Sequence, residues 1–77
     1  MERSSVKVVK RNRKTFFRVG KVTRCFVVPE RTGARLMYGQ PNQYSNLSVY
    51  YGTEAEALNK AWQVVADYLE LRNSFLR

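Results

Sequence analysis

The dipeptide Gly52-Thr53 separates two incompatible periodicities, and this division constrains the fold more than any other feature of the chain. Upstream of it, short segments alternate in polarity or are rich in β-branched and aromatic residues, and each stops at a turn signal. Downstream, from Glu54 to about Asn73, helix formers run without Gly or Pro. Thr53 followed by Glu56 matches a capping box, in which each side chain satisfies a backbone N–H left free at the start of a helix. The expected class is α+β: a small antiparallel sheet of three to five strands packed on one long C-terminal helix. The 77 residues suffice for one core and not for two, so residues 1–77 read as a single domain whose first four residues form a disordered end.

The strand segments can be placed from their punctuation. The first is Ser5 to Lys10, closed by the polar turn Arg11-Asn12-Arg13-Lys14, and the second is Thr15 to Val19, which stops at Gly20. The third, Val22 to Val28, stops at Pro29, which has no N–H to give a sheet. Glu30-Arg31-Thr32-Gly33 then makes a hairpin loop into Ala34 to Tyr38. Gly39 to Asn46 is polar and aperiodic, a surface loop, and Leu47 to Tyr51 is the last strand. On the helix, Leu58, Ala61, Trp62, Val65, Leu69 and Leu76 form one buried stripe. A second set, Ala57, Val64, Tyr68, Leu71 and Phe75, widens the apolar arc, which either a deep groove or a homodimer contact along the helix would explain.

Charge is distributed unevenly between the two halves. Residues 1–39 carry eleven Lys or Arg against Glu2 and Glu30, whereas residues 53–77 carry three against four acids, so the net +8 of the chain lies wholly in the strand half. A cationic face opposite a near-neutral helix is the arrangement expected of a protein that neutralises phosphates. With ten aromatics the chain is too apolar for a disordered basic tail. Cys25 has no second cysteine to pair with, and the absence of histidine removes the usual zinc ligand sets. No metal or other cofactor is expected. There is no general-base histidine, no Gly-rich phosphate loop and no HExxH, so the chain does not read as an enzyme and has no catalytic residues to nominate. No apolar run is long enough to span a bilayer and no secretory h-region is present, which makes the cytoplasm the default location, with no membrane partner.

Pleat alternation predicts which side chains share a face. If the helix covers Val6, Val8, Phe17, Val19, Cys25, Val27, Leu36, Tyr38, Leu47, Val49 and Tyr51, the opposite face carries Lys7, Phe16, Arg18, Val22, Arg24, Phe26, Val28, Arg35, Met37, Ser48 and Tyr50. That face mixes Arg with aromatic rings. Guanidinium forks bind phosphate or guanine edges, and rings pack on sugars or unpaired bases. Arg13 and Lys14 at the first turn and Arg31 in the later hairpin loop complete the candidate nucleic-acid-binding set: Lys7, Arg13, Lys14, Phe16, Arg18, Arg24, Phe26, Arg31, Arg35 and Tyr50. The competing reading is that Phe16, Phe26 and Val28 form a second small core under the loop at residues 40–46, with the arginines merely solvated.

The runs Phe26-Val27-Val28-Pro29-Glu30-Arg31-Thr32-Gly33-Ala34-Arg35 and Tyr50-Tyr51-Gly52-Thr53-Glu54-Ala55-Glu56-Ala57 resemble the arm-binding domains of phage tyrosine recombinases and the ethylene-response-factor type DNA-binding domains of plants. The shared features are a hairpin with an Arg-Thr-Gly turn and a final strand entering the helix through G-T-x-x-x-A, within about residues 14–66. The resemblance implies a three-stranded sheet laid in the DNA major groove, with Arg18, Arg24 and Arg35 facing DNA. The extra first strand, the longer loop at residues 39–46 and the longer helix depart from that pattern. In size, charge and strand count the chain is also similar to the small basic barrels of archaeal chromatin proteins, whose sheet binds the minor groove. Nucleic acid, DNA ahead of RNA, is therefore the expected partner, in a regulator or accessory protein of a phage or mobile element. The alternative is a protein-interaction module or small inhibitor docking on an acidic partner protein.

Overall fold

The computed structural model describes residues 5–42 and 46–75. Residues 1–4, expected to be a disordered end, and Leu76, expected in the helix stripe, lie outside the described residues. Five strands, β1 (Val6–Arg11), β2 (Lys14–Val19), β3 (Val22–Glu30), β4 (Gly33–Tyr38) and β5 (Ser48–Tyr51), form one antiparallel sheet in sequence order. A single helix, α1 (Glu54–Phe75), packs on one face of it. The fold is α+β, as the division at Gly52-Thr53 predicts.

The turns explain the register. Arg11 pairs with Lys14 across a two-residue loop in which both Asn12 (φ 53°) and Arg13 (φ 68°) are left-handed, the pairing of positive angles that matches the twist of a hairpin. Gly20 opens the next two-residue loop with φ 66°. Glu30 closes on Gly33, and there glycine is required by space: a Cβ at Gly33 would lie 2.3 Å from the Tyr51 carbonyl oxygen and 2.7 Å from the Tyr50 hydroxyl. β3 runs through Pro29 rather than stopping at it, and Pro29 pairs with Ala34. Counting from the Glu30–Gly33 closing pair, the Pro29 nitrogen points away from β4, to the side where β2 has already run out beyond its Thr15–Val27 pair. No ladder bond is lost there.

The core lies between sheet and helix. Phe17, Val19, Cys25, Val27, Ala34 and Leu36 from the strands meet Ala57, Ala61, Val65 and Leu69, a line of i, i+4 positions on α1. Two small alanines in that line let the helix come close enough for the Cys25 thiol to donate to the Ala61 carbonyl at 3.8 Å. Trp62 meets Phe17 edge-on at 5.3 Å. The helix starts where anticipated but with half of the capping box: the Glu56 N–H donates to Thr53 Oγ1 at 3.2 Å, while the Glu56 carboxylate accepts from that hydroxyl at 3.1 Å in place of the Thr53 backbone N–H. Of the second apolar set, Ala57 is buried, Val64 and Tyr68 are half-buried, and only Leu71 and Phe75 stand exposed. The groove thus accounts for most of the wide arc.

α1 packs chiefly on β3 and β4, with lesser contact to β2 and β5. β1 lies beyond it at the sheet edge. Val8, expected under the helix, is accordingly 43% exposed, and Leu47, expected as the first residue of β5, precedes that strand and is also exposed.

Candidate nucleic-acid interface

The β1–β2 hairpin builds the most charged surface in the described chain. Its outer face, turned away from α1, contains three consecutive cross-strand pairs: Lys7 with Arg18, Val9 with Phe16, and Arg11 with Lys14. Four cations therefore frame an apolar pair. Like charges directly opposite one another destabilise a sheet, each pair by some tenths of a kcal/mol. Residues 5–29 contain eight Lys or Arg and no Asp or Glu, and among the described residues no acid forms an ion pair with them. Lys7, Arg11 and Lys14 are exposed, and Arg18 is half-buried with its Nη2 donating to the Lys21 carbonyl at 3.3 Å. Its Nε is shut off from water without an acceptor among the described residues.

One expected member leaves this face. The ladder between β2 and β3 slips after Phe17–Cys25, so that Thr23, not Arg24, stands opposite Arg18. The extra residue is Arg24, and a bulge re-aims the side chain it adds. Arg24 turns to the helix side, where its Cζ lies 4.0 Å over the Tyr68 ring and its Nη2 donates to the Tyr68 hydroxyl at 3.0 Å. Val22, expected on the outer face with it, instead pairs with Val19. Thr23 takes the outward place that alternation assigned to Arg24.

The two phenylalanines divide the alternatives between them. Phe26 is only 5% exposed, and Phe16 stacks against it with ring centroids 5.5 Å apart. Pro41, from the loop after β4, joins Phe16 at the surface beside Thr23. Asn46 holds that loop by donating to the carbonyls of Tyr38 at 2.7 Å and Gln40 at 3.0 Å. Phe26 is thus a packed residue of the small outer core, while Phe16 retains a partly open flank.

Arg35 and Tyr50 face outward as expected, but both are already engaged. Arg35 forms a bidentate pair with Glu30, Nε to Oε2 at 3.2 Å and Nη2 to Oε1 at 3.4 Å, and its Cζ lies 5.6 Å from the centre of the Tyr50 ring. The Tyr50 hydroxyl donates to the Thr32 carbonyl. Arg31 sits in the turn after β3, at the same end of the sheet as Arg13 in the turn after β1. The cationic surface therefore concentrates on Lys7, Arg11, Arg13, Lys14 and Arg18, with Arg31 at its margin. Arg11 was missing from the sequence-derived set because it reads as a turn residue; counting the two-residue loop back from Lys14 would have placed it on the outer face.

Among the described residues no group of His, Cys, Asp or Glu side chains could hold a metal ion, and no helix is long and apolar enough to cross a membrane. Cys25 is fully buried, and burial pushes its thiol up to about 12, so it is a neutral core group. No protein-family model, curated protein or solved structure matches this chain.

Proposed function

We propose that the chain is a nucleic-acid-binding module that takes duplex DNA on the outer face of the β1–β2 ribbon. The observation that carries this reading is the pair of like-charge cross-strand contacts, Lys7–Arg18 and Arg11–Lys14, set on one face with no acid anywhere in residues 5–29. Such an arrangement lowers the stability of the free sheet, and a polyanion reverses the sign of that energy. Arg13 and Lys14 at the tip supply sequence-independent phosphate contacts, which set register and not base choice.

Duplex is favoured over single strand by the rings. Single-strand binding relies on several open aromatic faces, whereas Phe26 is buried and Phe16 is half-covered by it, so that of the three expected rings Tyr50 alone, at 44% exposure, stands open. Strands of a sheet face can lie in the wide major groove of B-form DNA, and the deep narrow major groove of A-form RNA excludes them. A role as a regulator or accessory protein of a mobile element is compatible with such a small module. Fluorescence anisotropy with 20-base duplex and single-stranded probes of mixed sequence tests the proposal. Duplex DNA is expected to bind at least tenfold more tightly. Tighter binding of the single strand would overturn the duplex assignment, and retention of an acidic host protein after nuclease treatment, with no DNA affinity, would favour the protein-docking alternative.

A further inference from the structure

A shallow open cleft of about 200 Å³ lies on the ribbon's outer face, lined by Val9, Arg11, Phe16, Arg18, Thr23 and Pro41. Its composition differs from that of a general cationic surface. Val9 and Phe16, a cross-strand pair, form an apolar floor that Pro41 extends. Arg11 follows Val9 by two residues on β1 and Arg18 follows Phe16 by two on β2, and because the strands are antiparallel the two arginines lie on opposite sides of that floor. At about 3.3 Å per residue their backbones are about 13 Å apart along the ribbon, yet both side chains reach the same cleft. The Thr23 side chain stands opposite Arg18, at the Arg18 end of the floor.

We infer that this cleft seats one nucleotide carrying phosphates on both sides, a single step of sugar–phosphate backbone. One phosphate meets Arg11. The next meets Arg18 together with the Thr23 hydroxyl, and the sugar and the edge of its base lie on Val9, Phe16 and Pro41. Three observations select this ligand over a lone anion. The two arginines enter the cleft from opposite ends of an apolar floor, which matches a ligand with an anionic group at each end of an apolar body better than a lone phosphate. Among the described residues neither guanidinium has a carboxylate partner, in contrast to Arg35, which Glu30 occupies. Among the described residues the Arg18 guanidinium makes one hydrogen bond, from Nη2 to the Lys21 carbonyl at 3.3 Å, which leaves further N–H donors for an oxyanion at this end. The inference rests on the nucleic-acid reading above and sharpens it to a place.

The test uses the full chain labelled with nitrogen-15 and titrated at matched ionic strength with thymidine 3′,5′-bisphosphate, thymidine 5′-monophosphate or inorganic phosphate, with duplex DNA run in parallel. The bisphosphate is expected to bind at least tenfold more tightly than the monophosphate, with shifts centred on the Val9, Phe16 and Thr23 amides. Thr23→Val and Arg11→Gln are each expected to reduce that preference to less than threefold. Thr23→Val keeps a β-branched residue in the strand, so its fold is preserved even if the charge change disturbs the other variant. Equal affinity for the three small probes, or shifts centred on Lys10, Arg13 and Lys21, overturns the seat. If duplex DNA still binds in that case, the seat alone fails; if DNA does not bind either, the underlying reading fails with it.

Discussion

Arg13 occupies a position that glycine would fill with less strain. Its φ of 68° puts a long side chain in the left-handed region, where a residue with a Cβ costs about 1 kcal/mol relative to glycine, and Asn12 before it is the residue type that tolerates such angles best. If the proposed phosphate contact is real, a cation held at this angle at the tip of the hairpin trades stability for binding. Arg13→Gly is therefore expected to raise the stability of the fold by about 0.5–1 kcal/mol while weakening duplex binding severalfold, measured by urea denaturation and anisotropy on the same preparation. A gain in stability with unchanged affinity would remove Arg13 from the interface. Cys25 makes the opposite case, a reactive group turned into packing. Its thiol, ordinarily ionised above about 9, is pushed up to about 12 by burial, and its register partner Tyr38 is pushed up as well, by desolvation first and then by Tyr51 and Cys25. The folded state thus resists losing these protons more than the unfolded chain does. Their contribution is fully present below pH 9 and falls away as the pH rises from 9 towards 12. The urea midpoint of the protein should drop more steeply over that range than that of Cys25→Ala, and parallel drops would contradict the assignment.

At the scale of the element, the bulge in β3 decides which arginine serves the core and which serves the surface. Arg18 and Arg24 look equivalent in a strict alternation, yet one faces solvent beside Lys7 and the other stacks on Tyr68 of the helix. Arg24→Gln is expected to destabilise the fold by about 1–2 kcal/mol, through loss of the cation–π contact and its hydrogen bond, with little change in DNA affinity. Arg18→Gln is expected to do the reverse, and a thermal melt paired with a binding curve for each variant separates them. This pair also marks the limit of what pattern reading can reach. The helix start at Thr53, the hairpin at Glu30–Gly33 and the outward placement of Lys7, Phe16, Arg35 and Tyr50 follow from local chemistry, because each is counted from a nearby turn. One inserted residue reverses the faces N-terminal to it until the next turn, and nothing in Val22-Thr23-Arg24-Cys25 announces the insertion. Phe26 was legible only as one of two alternatives, since an aromatic ring opposite the main core serves a second small core and a stacking platform equally well. Its 5% exposure and the Phe16 ring 5.5 Å away decide for the packed reading.

Over the whole molecule, the packed core and the concentrated positive charge lie apart in space. α1 supplies the core from one side of β3 and β4, and the four acids of residues 53–77 all lie on this helix. β1 lies at the sheet edge beyond the helix, and the β1–β2 hairpin carries Lys7, Lys10, Arg11, Arg13, Lys14 and Arg18 with no acid among them. Exposed Leu71 and Phe75 are what remains of the apolar arc that a helix-mediated dimer would need. If Lys7, Arg11, Arg13, Lys14 and Arg18 each displace a counterion, the logarithm of the association constant for duplex DNA should fall with the logarithm of salt concentration at a slope of about −4.5. In the variant Lys7→Gln/Arg11→Gln/Lys14→Gln the slope should relax to roughly −2, with the fold at least as stable as before because two like-charge cross-strand pairs have been relieved. The slope difference between these two proteins is the most direct measurement of the ribbon as the binding surface. A shallower slope in the folded triple variant is the predicted result, and an identical slope in both would place the DNA elsewhere on the molecule.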